Sequence, residues 1–271
     1  MMDPVIAIDS PRNPRVQAAL RLRDRDTRLD LGQTLVDGGR EALRALRAGV
    51  VVETAFACRS LITGDEAVEA VRTLERDAVP IIDVSERVHD RLAFGNRRDG
   101  LVLVVRTTSG ALDALEPGPN PLILVTEDVE KPGNLGAILR TADAAGCAAV
   151  IAVGGTDLFN PNVIRASVGT VFSMPVAAAT AAETMAWLAD HAIRPIAARG
   201  DASTTYTSAD LSGPIALILG SEAGGLSDAW LAPGIDGVSI PMAGSADSLN
   251  VSVAAAVLAF EARRQRDVAR G

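Results

Sequence analysis

Asn134, Arg140, Glu222, Ser248 and Asn250 stand in three short segments, each with polar groups set among Gly, Pro or Asn beside an apolar run. The first is Lys131-Pro-Gly-Asn-Leu-Gly-Ala-Ile-Leu-Arg140-Thr-Ala-Asp, and the second is Leu219-Gly-Ser-Glu222-Ala-Gly-Gly-Leu. The third is Ile240-Pro-Met-Ala-Gly-Ser-Ala-Asp-Ser248-Leu-Asn250-Val-Ser. Loops of this kind at strand ends are where α/β proteins bind ligands. In the first segment Pro132-Gly133-Asn134 opens a helix, and Arg140 projects over a face made small by Gly136 and Ala144, where something bulky can approach. In the second, a sharp turn leaves backbone N–H and C=O groups that can bind an adenosine or a methionine moiety, and Glu222 adds a carboxylate. In the third, Pro241 ends a strand, and Ser248 reads as the N-cap of the last helix, with Asn250 in its first turn. Each feature also has a purely structural reading: Arg140 as a surface arginine, Asn134 as a cap, Glu222 as a loop acid, Ser248 as no more than a cap.

The elements that must position these groups alternate. Residues 10–28 form a turn and an Arg-rich helical stretch. Leu35–Gly39 is a short strand and turn, Arg40–Ala48 a helix, Val50–Ala57 a strand and Glu66–Arg76 a helix. Ile81–Val84 and Leu101–Val105 are strands. This predicts a small α/β domain over residues 1–106. Residues 107–120, rich in Pro, Gly and polar groups, read as a linker. Residues 121–271 then give strands at Leu122–Val125, Val150–Val153, Ile193–Ala197, Ile215–Leu219 and Val238–Ile240. Helices are predicted over Asn134–Ala145, with Gly146 as C-cap, over Pro161–Val168 and Ala181–His191, and from Ser248 to about Asp267. The stripe Leu249, Val253, Ala256, Val257 and Phe260 on the last helix must bury against something. Five strands interleaved with helices predict a parallel sheet.

Composition narrows the possibilities. A chain of 271 residues is comfortable for two domains, and 48% hydrophobic content rules out a disordered one. Aromatics are 3%, so the core is aliphatic. The net charge of −8 argues against non-specific nucleic-acid binding. It is unevenly spread, with 17 arginines against 19 acids in residues 1–120 and 9 basic against 15 acidic groups in residues 121–271. Lys131 is the only lysine, so the positive charge is almost all Arg, the better phosphate fork. Cys58 and Cys147 read as buried free thiols in a reducing compartment. His89 and His191 make no metal-ligand pattern, so no metal is expected. No apolar run reaches membrane-spanning length and no signal segment is evident, so a soluble cytoplasmic protein is expected. There is no G-x-G-x-x-G opening a domain, no P-loop, and no Ser-His-Asp set. The Gly-rich turn follows a late strand, whereas an ordinary Rossmann methyltransferase carries it after the first.

Taken together, in this order and spacing, the three segments resemble the motifs of the SpoU (TrmH-like) family of RNA 2′-O-ribose methyltransferases, within the SPOUT superfamily. The resemblance covers residues 121–265. Asn134 and Arg140 match the first motif, Gly220-Ser-Glu222 with Gly224-Gly225 the second, and Ile240-Pro-Met with Ser248-Leu-Asn250-Val the third. Residues 10–106 look, more loosely, like that family's N-terminal substrate-binding domain, similar to ribosomal protein L30e. Lys131 stands where many relatives have Asp, and Asp37-Gly38-Gly39 where many have Glu-Gly.

The resemblance implies a parallel sheet with a deep trefoil knot, S-adenosylmethionine bound in the knot, a homodimer through the C-terminal domain, and no metal. It implies methylation of a ribose 2′-hydroxyl in RNA, most naturally 23S ribosomal RNA. The alternatives are a tRNA enzyme, an rRNA methyltransferase conferring antibiotic resistance, and a catalytically silent knotted RNA-binding protein. By the same resemblance Asn134, Arg140, Glu222, Ser248 and Asn250 form the catalytic set. Arg140 would grip the phosphate beside the target ribose, since a guanidinium stays protonated and makes a poor base. Leu219, Gly220, Ser221, Gly224, Ile240, Met242, Ser248 and Leu249 would hold the cofactor. Arg12, Arg15, Arg21, Arg25 and Arg28 would meet RNA phosphates, although Asp24, Asp26 and Asp30 alternate with them.

Overall fold

The structure is a computed structural model that describes residues 8–95, 98–107, 110–222 and 224–270. Thr108 and Ser109 of the expected linker and Ala223 of the second segment lie outside the described residues. The chain forms two compact units, Met1–Thr108 with Phe159–Ser173, and Ser109–Leu158 with Met174–Gly271.

The first unit contains α1 (Pro14–Arg21), α2 (Arg25–Leu31), β1 (Gln33–Asp37), α3 (Gly39–Arg47), β2 (Val52–Ala57), α4 (Asp65–Arg76), β3 (Ile81–Asp83), α5 (Glu86–Leu92) and β4 (Leu101–Arg106). The Arg-rich stretch is two helices. Asn13 caps α1 by accepting from Arg15 N, with Pro14 in its first turn, and Asp24 caps α2 by accepting from Thr27 N. The sheet runs β1-β4-β2-β3, with β1 and β2 antiparallel to β4 and β3 parallel to β2. Val16, Leu22, Leu35, Phe56, Val88 and Val102 form its core with α1 and α5.

The second unit begins with β5 (Leu122–Glu127), α6 (Pro132–Ala145) and β6 (Ala149–Val153). The chain then enters the first unit for α7 (Pro161–Ala166), which packs on β1. Thr34 Oγ1 donates to Phe159 O at 2.6 Å, and Arg44 Nη1 donates to Val168 O at 2.7 Å. Periodicity cannot tell which sheet a helix will cover, so the sequence places this segment with its neighbours in the chain. The second unit resumes with β7 (Val176–Ala179), α8 (Ala181–Asp190), β8 (Arg194–Ala198), β9 (Ile215–Leu219), β10 (Asp236–Val238) and α9 (Val251–Arg270).

The sheet order is β10-β8-β9-β5-β6-β7 and every neighbouring pair is parallel. The continuous apolar runs of β5, β6 and β9 suit strands covered on both faces. Parallel strands put all their C-terminal ends on one edge, so the loops after β5, β8, β9 and β10 share that edge. The sheet has one strand more than expected, the alanine-rich edge strand β7.

The terminal helix corrects one expectation. The residues α9 buries are Val251, Ala255, Leu258, Ala259, Ala262 and Arg266, while Val253 and Phe260 stay 47% and 49% exposed. Small alanines let α9 lie close on α6, so the larger residues turn outward. Arg266 fixes the far half of the helix by donating to Asn120 O at 2.8 Å and to Pro121 O at 3.0 Å.

Candidate active site

β9 ends at Leu219, and Gly220 must be glycine because a Cβ there would lie 2.2 Å from Gly225 O. The turn closes on itself: Ser221 N donates to Gly225 O and Gly225 N to Ser221 O, both at 3.1 Å. Gly224 N donates to Ser221 Oγ at 3.0 Å, and Gly225 takes a φ of 65°. Next to this turn, Glu127 at the end of β5 is buried and accepts from Ser227 N and Ser227 Oγ, each at 2.7 Å, and from Trp230 Nε1 at 3.0 Å. The Glu127 carboxylate thereby anchors the stretch that follows the turn. No motif announced it.

The tight turn presents Glu222 to two helix N-termini. Its Oε1 accepts from Asn134 Nδ2 at 2.9 Å and from Asn250 Nδ2 at 2.5 Å, and its Oε2 accepts from Lys131 Nζ. Asn250 Nδ2 also donates to Asn134 Oδ1 at 3.2 Å. Asn134 lies in the first turn of α6, and Lys131 at that helix's N-cap position. An anion there also faces the positive end of the helix dipole. The hydrogen bond from Lys131, followed by that from Asn134, holds the Glu222 carboxyl below the usual carboxylate range. Glu222 is therefore a standing anion that fixes two amides, and it carries no proton at neutral pH. Lys131 is the group sequence reasoning missed in this cluster; its departure from the family pattern was the signal.

Asn250, not Ser248, caps α9. Asn250 Oδ1 accepts from Ser252 N at 3.0 Å and from Ser252 Oγ at 2.6 Å, and the helix starts at Val251. Both residue types cap well, so local signals could not choose between them. The tie is broken by the bonds that Asn250 makes to Glu222 and Asn134. Ser248 is left exposed on the preceding loop with no side-chain partner among the described residues.

A cleft of about 900 Å³ opens beside the cluster. Leu219, Gly220, Ser221, Ile240, Met242, Ser248 and Leu249 line it, as expected for a cofactor site, together with Glu222. Gly224 is not in its wall and serves the turn instead. Arg199 and Asp201, on the loop after β8, line it without any sequence signal; Arg199 Nε donates to Asp201 Oδ1 at 2.8 Å. Among the described residues, 240–249 make no backbone hydrogen bond to other parts of the chain, so their N–H and C=O groups remain open to water or a ligand. A glycine-closed turn, open backbone groups and apolar walls fit a nucleoside-bearing cofactor.

Arg140 does not join the cluster. It is exposed on α6 and, among the described residues, its guanidinium has no partner. Six residues past Asn134, it stands roughly 120° round the helix and about 9 Å along it. Glu222 thus positions Asn134 and not Arg140. In the first unit Arg12, Arg15, Arg21 and Arg25 are exposed, whereas Arg28 is buried and its Nη1 donates to Leu22 O at 3.0 Å and Arg23 O at 2.9 Å. Arg28 braces a helix junction and is not available to phosphate, which corrects its place in the RNA-binding set. Among the described residues no group of three or more His, Cys, Asp or Glu could hold a metal ion, and no helix is long and apolar enough to cross a membrane.

This sheet order, with a glycine-closed turn and an amide–carboxylate cluster beside a ligand-sized cleft, defines an α/β methyltransferase of the SPOUT kind. Residues 121–260 match the SpoU rRNA Methylase family and residues 13–102 match the MRM3-like substrate binding domain. A relative from Vibrio parahaemolyticus, the 23S rRNA (guanosine-2′-O-)-methyltransferase RlmB, is 34% identical over 74% of this chain and 85% of its own. A crystal structure of an RNA 2′-O ribose methyltransferase is 41% identical with a TM-score of 0.85, covering 96% of this chain and 99% of that one. The SpoU methyltransferase AviRb from Streptomyces viridochromogenes, solved with AdoMet, is 30% identical with a TM-score of 0.87, covering 94% and 99%. The chain belongs to the SpoU rRNA methylase family.

Proposed function

We propose that this chain transfers the methyl group of S-adenosylmethionine to a ribose 2′-hydroxyl of 23S ribosomal RNA. The observation that carries the reading is the convergence of all three segments. Asn134, Glu222 and Asn250 share hydrogen bonds beside a cleft walled by Leu219, Ile240, Met242 and Leu249. The relative and the solved structures named above support the reaction and the cofactor.

The bound cofactor would supply a methyl group on a positively charged sulfur, a good leaving group that needs no metal. The chain's own residues must then align a weak nucleophile and relieve it of a proton. The closed turn at Gly220–Gly225 and the open backbone of residues 240–249 hold the nucleoside end. Asn134 and Asn250, locked by Glu222, present amides that orient the ribose. Arg140, exposed and without a partner among the described residues, grips the phosphate next to the target ribose. The proton leaves to that phosphate, to Ser248 or to water, because a guanidinium is no base. The exposed Val253 and Phe260 on α9 support a homodimer through this unit. The crossing from β10 back to α9, which packs on α6 beside β5 and β9, supports the trefoil knot. An rRNA substrate supports a cytoplasmic location.

Ribose-methylation mapping of total RNA, with and without the protein, names the nucleotide and separates ribosomal from transfer RNA. On the mapped RNA, Arg140→Ala and Arg140→Lys are expected to lower turnover by roughly 10²–10³-fold with cofactor affinity intact. Near-wild-type turnover at saturating cofactor in either variant removes Arg140 from the mechanism.

A further inference from the structure

The first unit carries a second concave site, which none of the three segments touches. It is a cleft of about 930 Å³ where the turn before α1 meets α5. Four arginines, Arg12, Arg87, Arg91 and Arg98, line it against two carboxylates, Glu86 and Asp90. This is an excess of positive charge in a chain whose net charge is −8.

The arginines of this region divide into engaged and open ones. Arg98 is engaged: its Nη2 lies 2.6 Å from Glu86 Oε2 and its Nε 3.1 Å from Asp90 Oδ1. Arg23 is engaged: its Nη2 donates to Arg91 O at 2.9 Å and Ala93 O at 2.8 Å, and its guanidinium lies 4.5 Å over the Phe94 ring. Arg28 is buried. Arg12, Arg87 and Arg91 are exposed and have no ion pair or side-chain hydrogen bond among the described residues. The two carboxylates are turned to Arg98, which lowers the net charge of the cleft but leaves the donors of these three guanidinium groups open.

The scaffold around them is fixed. Arg12 N donates to Ser10 Oγ at 3.3 Å, and Gln17 Nε2 donates to Pro11 O at 2.8 Å, which locks the turn carrying Arg12. Arg23 ties the end of α5 to the junction after α1 through its carbonyls. Three open guanidinium groups around one concavity, each free to fork onto phosphate oxygens, suit a polyanionic strand. The α2 face is different, because Asp24, Asp26 and Asp30 interrupt it and Arg28 is withdrawn.

We propose that the cleft between the turn before α1 and α5 grips the phosphate backbone of the RNA substrate through Arg12, Arg87 and Arg91. This rests on the reading of the chain as an RNA methyltransferase and moves the RNA surface of the first unit away from α2. The contacts are to phosphate, so they supply affinity and register without sequence preference.

The test uses the full chain, a 23S rRNA fragment containing the mapped nucleotide, and RNA affinity measured across a salt series. The triple variant Arg12→Ala, Arg87→Ala, Arg91→Ala is expected to bind RNA at least 10-fold more weakly at low salt. Its slope of log affinity against log salt should flatten by about two to three, at roughly 0.7–0.9 per phosphate contact. Asp90→Asn, which frees Arg98 in part, should tighten binding several-fold, an effect that a merely structural role would not produce. Arg21→Ala with Arg25→Ala, at the end of α1 and the start of α2, should cost less than threefold. S-adenosylmethionine affinity should be unchanged in every variant, and an unchanged far-ultraviolet spectrum and unfolding midpoint report that the first unit is folded. Wild-type RNA affinity and slope in the triple variant overturn the proposal while the methyltransferase reading stands. A wild-type protein that binds the cofactor but neither binds nor methylates RNA sinks both.

Discussion

The cluster around Glu222 and the arginine cleft beside α5 handle charge in opposite ways. In the second unit one carboxylate collects donors from Lys131 and Asn134 at the start of α6 and from Asn250 before α9, places far apart in sequence. Its hydrogen bonds fix the amides on either side of it, and exposure costs it little because the ion is matched. In the first unit Arg12, Arg87 and Arg91 are held on a rigid frame but left without side-chain partners among the described residues. A site that must align a reacting oxygen benefits from satisfied, mutually locked groups. A surface that must meet a polyanion benefits from charges whose only competitor is water. The same contrast holds for carboxylates. Glu222, exposed and surrounded by donors, is shifted down; Asp37, buried in the first unit, is pushed up to about 6.

The largest break in this picture should come from Gly220→Ala. Its Cβ would meet backbone, Gly225 O at 2.2 Å, so the turn must open and displace Glu222 with it. Cofactor affinity, read by calorimetry, is expected to fall by about 10²-fold or more, about 3 kcal/mol, with methylation lost. Retention within threefold would mean that the turn is not the cradle. Next in size is Asn250→Ala, which removes both the cap of α9 and two bonds of the cluster. It is expected to cost about 1–2 kcal/mol of stability and to lower turnover more than cofactor affinity. Loss of stability with turnover intact would make Asn250 a cap alone.

A smaller effect concerns pH. The carboxyl of Glu222 is depressed below its ordinary 4.5. Its stabilising contribution is therefore complete above that value and lost only as pH falls through the lower native value. The rate profile between pH 5 and 9 should show no limb belonging to Glu222. A limb near pH 6 that disappears in Glu222→Gln would make it a proton carrier and dissolve the contrast with an ordinary acid–base site.

What the sequence reveals follows from where each signal resides. The apolar run of β9, the glycine turn after it and the Gly146 C-cap are local, and they appear in the structure where they were read. The three segments are legible because each combines backbone-permissive residues with a few polar ones. Other features depend on tertiary partners. β7 is Val-Ala-Ala-Ala, which has little strand signature of its own and pairs only because β6 is beside it. Arg28 looks like its neighbours in an Arg–Asp alternation, and only the fold withdraws it. Glu127 is one acid at a strand end until Trp230 and Ser227 close on it. The stripe on α9 pointed to Val253 and Phe260, whereas the face the fold buries is the alanine-rich one with Val251 and Leu258.

Asp37 gives the mildest test, and it probes the other side of the carboxylate contrast. Burial is the main cause of its raised value, opposed by a hydrogen bond from Phe94 N at 2.7 Å and by the Arg165 charge, with Asp99 and Glu41 adding to the rise. Its native value of about 6 lies above the ordinary 3.8, so the folded state holds this proton more tightly than the unfolded chain. The contribution of Asp37 is therefore fully present below pH 4 and lost as pH rises through 6, by an amount on the order of 3 kcal/mol. Asp37→Asn keeps an acceptor for Phe94 N and removes the titration. Its stability relative to wild type, from denaturant midpoints at matched pH, should improve from about pH 4 to about pH 7 and then level off. Activity should hold, since Asp37 lies in the unit that has no part in the cluster around Glu222. A stability difference that stays constant across that range would show that Asp37 is ionised throughout. Burial would then fail to separate the carboxylates of the two units, leaving hydrogen-bond donors as the factor that distinguishes Glu222.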